Sequence, residues 1–179
     1  MVRGSIETTV TYLEMTVAPP PHAPQNQPPG AAINRLVRPT VAQYRALYEH
    51  AGRHWTWTAR TLMADGDLAA IIEDARVEIF VVSEGGTDAG YVELDGRDAP
   101  DLELAYLGIF PEHLGRGLGR WALAWAIQYA WRERSPSRLW VHTCTLDHPA
   151  ALPLYKKAGF KAYAERSEYV DLLEEHGKK

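Results

Sequence analysis

The spacing of apolar and polar positions predicts one domain built from alternating strands and helices. Thr40 followed by Gln43 is typical of a helix start, and apolar residues then recur at helical spacing as far as Ala51. A second helix is predicted near residues 68–73, and a third begins at Leu118. The apolar stripe of this third helix consists of Leu118, Trp121, Ala122, Trp125, Ala126 and Tyr129.

Short runs rich in β-branched and aromatic residues predict the strands. They cover residues 33–38, 77–83, 89–94, 102–110, 139–145 and 160–170. A short helix is predicted over 149–158, closed by Gly159. Hairpins come first in this order and one βαβ crossover comes later. The sequence therefore predicts a mixed α/β fold, with a mostly antiparallel sheet and helices on both faces.

The first 30 residues divide into two segments. Residues 1–17 contain the β-rich run TTVTYLEM at 8–15, and the pattern leaves open whether this strand pairs with the main sheet or with a second subunit. Residues 18–30, APPPHAPQNQPPG, predict an extended or disordered connection. Residues 31–179 are predicted to form the main domain, since the 46% hydrophobic residues of the 179-residue chain suffice for one core.

Composition narrows the class of protein and its partners. The single cysteine, Cys144, rules out an internal disulfide, and the chain does not open on a secretory signal, so a cytoplasmic protein is expected. The most apolar stretch, 118–131, is interrupted by Arg120 and Gln128, so no membrane span is predicted. A formal net charge of -4 gives no general attraction to nucleic acid.

A glycine-rich turn between the strand at 102–110 and the third helix is the strongest chemical signal. Its sequence, HLGRGLGR, places unpaired backbone N–H groups and two arginines at a helix N-terminus, which favours a bound pyrophosphate. A Walker loop would need Lys followed by Ser or Thr, whereas Arg120 and Trp121 follow Gly119 here. The dinucleotide fingerprint would need a different glycine spacing. A plain tight connection is the remaining alternative.

Two linked motifs carry a family resemblance. LGIFPEHLGRGLGRWAL followed by LDHPAALPLYKKAGF resembles the acyl-CoA-binding and C-terminal motifs of the GNAT superfamily, over about residues 103–163. The resemblance implies acetyl-CoA as co-substrate, without a metal, and the amine of a small molecule or peptide as the acceptor that attacks it directly. Leu114 stands where the family pattern has Gln or Arg. By resemblance, the coenzyme-binding residues are Leu107, Gly108, Ile109, Leu114, Gly115, Arg116, Gly117, Leu118, Gly119, Arg120 and His148.

Acetyl transfer to an amine requires a base, because a free alkylamine with a pKa near ~10 is protonated at neutral pH, and it benefits from an acid near the departing thiolate. Tyr155 matches the family tyrosine and is predicted as the acid; the alternative is a packed core tyrosine. Pro153 is expected to bend the helix and re-aim Tyr155. Glu103 is predicted as the base by its position. The alternative is an ordered water held by Glu93, Tyr106 or His142.

The acceptor pocket is expected beside the segment GRHWTWTAR at 52–60. Trp55 and Trp57 are candidates to wall it, with Arg60 available for a carboxylate; the alternative is that the tryptophans close the core. Ile127 and Trp131 lie off the apolar stripe of the third helix, which predicts a homodimer contact.

Three other interpretations remain beside these. His142, Cys144, Asp147 and His148 cluster along the chain, but a second pair with ligand spacing is missing, so no metal is predicted. Cys144 is interpreted as a buried thiol, with an acylated nucleophile as the alternative. The sequence is also compatible with a non-catalytic acyl-CoA sensor, and with an acyltransferase that uses another acyl chain or a hydroxyl acceptor.

Overall fold

The computed structural model describes residues 2–20 and 26–173, so residues 21–25 of the predicted proline-rich connection lie outside the described residues. The elements are β1 (Val2–Met15), β2 (Ala31–Leu36), α1 (Val41–Gly52), α2 (Ala59–Leu62), α3 (Asp65–Ile72), β3 (Val77–Glu84), β4 (Thr87–Asp95), β5 (Asp101–Ile109), α4 (Leu118–Tyr129), β6 (Arg138–Cys144), α5 (Ala151–Lys157) and β7 (Lys161–Leu173). The seven strands form one mixed sheet in the order β2-β3-β4-β5-β6-β1-β7. The predicted mixed α/β fold is confirmed.

The sheet separates two apolar cores. On one face, Tyr44 and Tyr48 of α1 pack with Leu68 of α3 against alternate residues of β3 and β4. On the other face, α4 and α5 pack against the opposite side chains of the same strands, such as Val92. This alternation is what a sheet covered on both sides requires.

The N-terminal strand β1 lies inside the sheet. It pairs antiparallel with β6 on one side and with β7 on the other, with Tyr12 opposite His142 and Thr8 opposite Glu168. Leu13 and Met15 point into the core that α4 and α5 cover. The strand therefore belongs to the main sheet of its own chain, and its other side chains reach the face where β5 and β6 meet.

Helix α4 is buried over more of its circumference than the predicted stripe. Ile127 is 4% exposed and belongs to the core, and Trp131 packs against the same core from a π-helical turn, Ala130–Arg134, that extends the helix. The expectation that these two residues face outward is therefore wrong, and the feature that suggested a dimer has an intramolecular explanation. Even with this extension, no helix in the described residues is long and apolar enough to cross a membrane.

Helix α5 accommodates Pro153 without a break, where a bend was expected. It begins at Ala151, so Pro153 lies in its first turn, where a backbone N–H has no intrahelical acceptor. The first helical bond runs from the Leu154 N–H to the Ala150 carbonyl. The proline consequently removes no hydrogen bond, and the expectation that it re-aims Tyr155 is wrong.

Candidate functional site

Strands β5 and β6 separate and leave a wedge between them. They pair in parallel only over residues 101–103 and 138–140. Ala105 forms a bulge in β5, because Leu94 pairs with Leu104 while Glu93 pairs with Tyr106. A bulge bends the strand that carries it. From residue 104 onward this edge of β5 has no strand partner among the described residues, so its backbone N–H and C=O groups are free to bind a ligand.

A cavity of about 870 Å³ fills the wedge. It continues from the glycine turn, past β5 and β6, to the loop after α1 and to β7. Most of the residues predicted for the site line this one cavity: Trp55, Trp57, Tyr106, Leu107, Gly108, Ile109, Leu114, Gly115, Gly117, Leu118, Gly119, Arg120, His142, His148 and Tyr155. Glu103, Arg116, Arg60 and Glu93 do not line it.

The glycine turn presents unpaired backbone donors to the cavity. Gly117 has a φ of 84°, and the first helical bond of α4 runs from the Trp121 N–H to the Gly117 carbonyl. The N–H groups of Leu118, Gly119 and Arg120 therefore lack an intrahelical acceptor. A Cβ on Gly117 would meet no atom within 4 Å. The turn thus presents open backbone donors of the kind that bind anions, and Arg120 lines the cavity beside them.

The outer side of the turn is held by the hairpin between β3 and β4. Glu84 binds His113 Nδ1 at 2.7 Å and Arg116 Nη1 at 2.8 Å. The hydrogen bond from His113, with the Arg116 charge, holds the pKa of Glu84 below its usual range. The Arg116 side chain is therefore engaged on the outer side of the turn and does not line the cavity.

The loop after α1 packs directly on β5 because position 108 is glycine. A Cβ there would lie 2.6 Å from the Ala51 Cβ and 3.1 Å from the Trp57 ring. Trp57 also donates from Nε1 to Asp147 Oδ1 at 2.9 Å. The indole therefore spans the wedge from β5 to the end of β6.

Asp147 is a site residue that the sequence analysis did not select. Besides the Trp57 bond, its carboxylate accepts hydrogen bonds from Thr143 Oγ1 at 2.8 Å and from the Cys144 N–H at 2.9 Å. A carboxylate directly after a strand is a common turn-capping residue, which is the signal that could have found it. Each of its two oxygens therefore has at least one protein donor. No three His, Cys, Asp or Glu side chains of residues 2–20 and 26–173 converge as metal ligands would.

His142 and Glu103 form a pair at the cavity wall. His142 lines the cavity, and its Nδ1 lies 3.3 Å from Glu103 Oε1. Partial burial lowers the pKa of His142, but the Glu103 carboxylate, together with the charges of Asp147 and Glu168, raises it by more. The net shift is upward from 6.5. Nε2 has no hydrogen-bond partner in the described part of the chain.

Tyr155 projects from α5 into the cavity and packs edge-on against Phe160. Burial, with a contribution from the Asp147 charge, raises its pKa well above the usual range, so the hydroxyl stays protonated. Within residues 2–20 and 26–173 this hydroxyl forms no hydrogen bond to protein. It is therefore a free donor at the wall of the wedge.

His148 and Cys144 also border the cavity. His148 Nδ1 accepts a hydrogen bond from the Ala150 N–H at 3.0 Å, which places the proton of the neutral ring on Nε2. The ring packs against Trp55. Burial, followed by the Asp147 charge, raises the pKa of the Cys144 thiol, which favours the protonated thiol over a nucleophilic thiolate.

Arg60 and Glu93 lie beneath the cavity instead of facing it. Arg60 Nη2 is 2.9 Å from Glu93 Oε1, and the two side chains are 9% and 0% exposed. Tyr44 donates its hydroxyl hydrogen to the second Glu93 oxygen. The Arg60 guanidinium also stacks 5.5 Å from the ring centre of Tyr106, which does line the cavity. Arg60, the predicted acceptor contact, and Glu93, a predicted holder of the catalytic water, are thus engaged in a buried ion pair that supports the cavity floor.

Strand β7 contributes cavity residues that the sequence analysis missed. Glu168, Tyr169, Val170 and Asp171 line the end of the cavity opposite the glycine turn. Tyr12 of β1 donates its hydroxyl hydrogen to Glu168 Oε1 at 2.5 Å. The motifs of the family resemblance end before this strand, and its alternation alone does not show which element it faces.

Comparisons with known proteins agree with this geometry. The model of the acetyltransferase (GNAT) family matches residues 44–160. A mycothiol acetyltransferase of Streptomyces coelicolor is 34% identical over 89 residues, which cover 50% of this chain and 27% of that protein.

Solved structures show the same fold at low sequence identity. A GCN5-related N-acetyltransferase from Kribbella flavida has a TM-score of 0.60 and 17% identity, with 94% of this chain and 60% of that chain covered. A chimeric spermidine N-acetyltransferase from Vibrio cholerae has a TM-score of 0.57 and 22% identity, with 75% and 83% covered. The chain spans 60% of the Kribbella protein and matches 27% of the mycothiol acetyltransferase. Because the family match extends over more than half of the 179 residues, the chain belongs to the GNAT acetyltransferase family.

Proposed function

We propose that this chain transfers the acetyl group of acetyl-CoA to a primary amine of a small molecule. The observation that carries the proposal is the continuity of the site: one cavity joins an open strand edge, an anion cradle and a protonated tyrosine. Its volume of about 870 Å³ is within the range of small-molecule sites. The family membership supports acetyl transfer, while the coenzyme and the nitrogen acceptor are our inference.

The residues of the cradle fit a pyrophosphate and an extended arm. The unpaired N–H groups of Leu118, Gly119 and Arg120 suit phosphate oxygens, and the open edge of 107–109 suits the amides of a pantetheine arm. His148 offers its Nε2 proton near the same arm. Bound acetyl-CoA would supply a thioester whose carbonyl carbon is attacked by the amine.

We infer that His142 accepts the amine proton and that Glu103 positions it. His142 lines the cavity, whereas Glu103 does not and instead contacts the imidazole. As the amine nitrogen bonds to the carbonyl carbon, its proton moves to Nε2. A backbone N–H near Leu107 is the proposed donor to the carbonyl oxygen, and Tyr155 the donor to the departing sulfur.

Replacing Gly117 by Asp is expected to weaken acetyl-CoA binding by about 10- to 100-fold, because a carboxylate would then stand in the anion site. Gly117→Asn is the matched control. Asn has the same shape, tolerates the positive φ about as well as Asp, and carries no charge. Calorimetric titration of the wild type and both variants measures the effect.

The two variants separate charge from backbone strain. Equal affinity in the Asp and Asn variants would contradict an anion site, and absence of binding to the wild type would refute the coenzyme assignment. Binding without thiol release from any amine would favour the acyl-CoA sensor. Thiol release with alcohols alone would identify a hydroxyl acceptor.

Glu103→Gln is expected to move the ascending limb of the kcat/KM profile to lower pH. His142 acts as a base only when neutral, so the rate rises as pH passes the His142 pKa. Glu103 is the largest contribution that raises this pKa, and its removal lowers it. Measurement of kcat/KM between about pH 5.5 and 9, across the ordinary histidine range, reports the shift.

The same profile distinguishes the two candidate bases. If Glu103 were itself the base, Glu103→Gln would lower the rate by about 10²-fold or more at every pH instead of moving the limb. His142→Gln is the companion variant. If His142→Gln kept the ascending limb of the wild-type kcat/KM profile, this would contradict our assignment of the base.

A further inference from the structure

The end of the cavity opposite the glycine turn is roofed by the loop after α1. Trp57 binds Asp147 at the end of β6, and Thr58 Oγ1 donates to the Asp171 carbonyl of β7 at 2.7 Å. The loop therefore crosses from one strand to another above the wedge.

The charges that line the two ends differ in sign. Arg120 is the one Lys or Arg side chain that lines the cavity in the described residues, and it lies at the glycine turn. Away from this turn, beside the loop after α1 and along β7, the acidic residues of the lining are Asp147, Glu168 and Asp171. The end that receives the acceptor is therefore anionic, while the phosphate end is cationic.

Glu168 is a half-buried carboxylate that is available to a ligand. Tyr12 donates to its Oε1, and no Lys, Arg or His nitrogen of the described residues lies within 4 Å of its carboxylate oxygens. The nearby Arg166 instead places its guanidinium 5.0 Å from the centre of the Tyr12 ring. Asp147, by contrast, already binds Trp57, Thr143 and the Cys144 N–H. Glu168 is thus held in place by one hydrogen bond and keeps its second oxygen free.

Aromatic rings form another part of the wall of the same cavity. Trp57 and Tyr106 have ring centres 5.2 Å apart, and Tyr48 lies 5.2 Å from Tyr106 and 5.5 Å from Trp57. All three rings line the cavity. Aromatic faces with a nearby carboxylate attract alkylammonium groups more than neutral or anionic ones.

We propose that the acceptor is a small diamine: one amine reacts beside His142, and a second, protonated amine binds the Glu168 carboxylate along the aromatic wall. The proposal rests on the acetyl transfer proposed above. The second ammonium stays charged in the assay because the pKa of an alkylamine is near ~10. Its charge fixes the orientation of the chain between the two ends, so that the free amine meets the thioester.

The test compares amines that differ only in the far group. Thiol release from acetyl-CoA is measured for α,ω-diaminoalkanes, for n-alkylamines of equal length and for the corresponding amino acids with a terminal carboxylate. At a pH on the plateau of the rate profile, kcat/KM for the best diamine is expected to exceed that of its monoamine by about tenfold or more. The carboxylate analogue is expected to be the poorest substrate.

Glu168→Gln keeps the acceptor for the Tyr12 hydroxyl and removes only the charge. The diamine-to-monoamine ratio of kcat/KM is expected to fall to about threefold or less, mainly through a higher KM for the diamine. Glu165→Gln is the matched control, because Glu165 is on the same strand, accepts from Thr11 and does not line the cavity. This control is expected to keep the wild-type ratio.

The possible results distinguish a failure of the diamine assignment from a failure of the proposed acetyl transfer. Turnover of monoamines and diamines at equal rates, or a ratio unchanged in Glu168→Gln, would overturn the diamine assignment and leave acetyl transfer intact. If no amine is turned over, the diamine site can still be tested by calorimetric titration of 1,4-diaminobutane into the protein with coenzyme A. Binding that weakens about tenfold in Glu168→Gln supports the site, and no binding to the wild type overturns it.

Discussion

Replacing Tyr155 by Phe is expected to lower kcat for amine acetylation by about 10²- to 10⁴-fold, with little change in acetyl-CoA affinity. The hydroxyl lines the wedge, and the raised pKa keeps it protonated throughout an assay. A donor of this kind stabilises charge as it develops on the departing sulfur, and that charge exists only during the reaction. Steady-state kinetics and calorimetric titration of the same protein separate the two effects.

The same substitution is expected to leave the fold intact, because the Tyr155 hydroxyl forms no hydrogen bond to the described residues and the Phe ring keeps the contact with Phe160. Tyr163→Phe is the control, since Tyr163 is 44% exposed and lies outside the cavity lining. A kcat for Tyr155→Phe within about threefold of the wild type would make Tyr155 a packing residue, the alternative that the sequence left open.

Local features of the site were predictable because they depend on nearby residues. The glycine turn needs a positive φ at Gly117 and unpaired donors at a helix start, and both follow from adjacent residues. The same holds for the capping box at Thr40, where the predicted reciprocal hydrogen bonds with Gln43 are present. Periodicity likewise located α4, whose apolar stripe faces the core.

Features that depend on distant pairing were not predictable. The sequence showed that β1 is a strand but left its partner open, and its insertion between β6 and β7 brings Tyr12 to Glu168 over 156 positions of chain. Pro153 shows how a small error in a predicted helix boundary changes the interpretation of a residue. A shift of two residues in the helix start changes this proline from a helix breaker to a first-turn residue.

Glu93 shows that the burial of a charged side chain was likewise not predictable from the sequence. A strand carboxylate is usually solvated, and sequence alone gives no reason to bury it. Here β4 lies in the middle of the sheet beneath α1, so the side chain is removed from water and has to be paired with Arg60. Arg60 was expected at the acceptor and Glu93 beside a catalytic water, and the tertiary structure places both beneath the cavity.

Arg60→Met is expected to lower the free energy of unfolding by about 3–5 kcal/mol at neutral pH. The substitution leaves Glu93 0% exposed with the Tyr44 hydroxyl as its remaining described partner, so a buried charge loses its counterion. Urea denaturation measures the change. Arg132→Met is the matched control, because its pair with Glu133 is 71% and 46% exposed, and an exposed pair contributes about 0–1 kcal/mol.

The pH dependence of the stability loss in Arg60→Met tests whether the unpaired Glu93 carboxylate causes it. Burial already raises the pKa of Glu93, opposed by Arg60 and by the Tyr44 hydrogen bond, and removal of Arg60 raises it further. A carboxyl group whose folded pKa is above its unfolded pKa destabilises the fold above the folded pKa, and this penalty disappears as pH falls below it. The deficit of Arg60→Met is therefore expected to shrink on acidification, and Arg60→Met/Glu93→Gln to recover much of the lost stability at neutral pH. A deficit that is equal at neutral and acidic pH, and that persists in the double variant, would assign the loss to packing instead of charge.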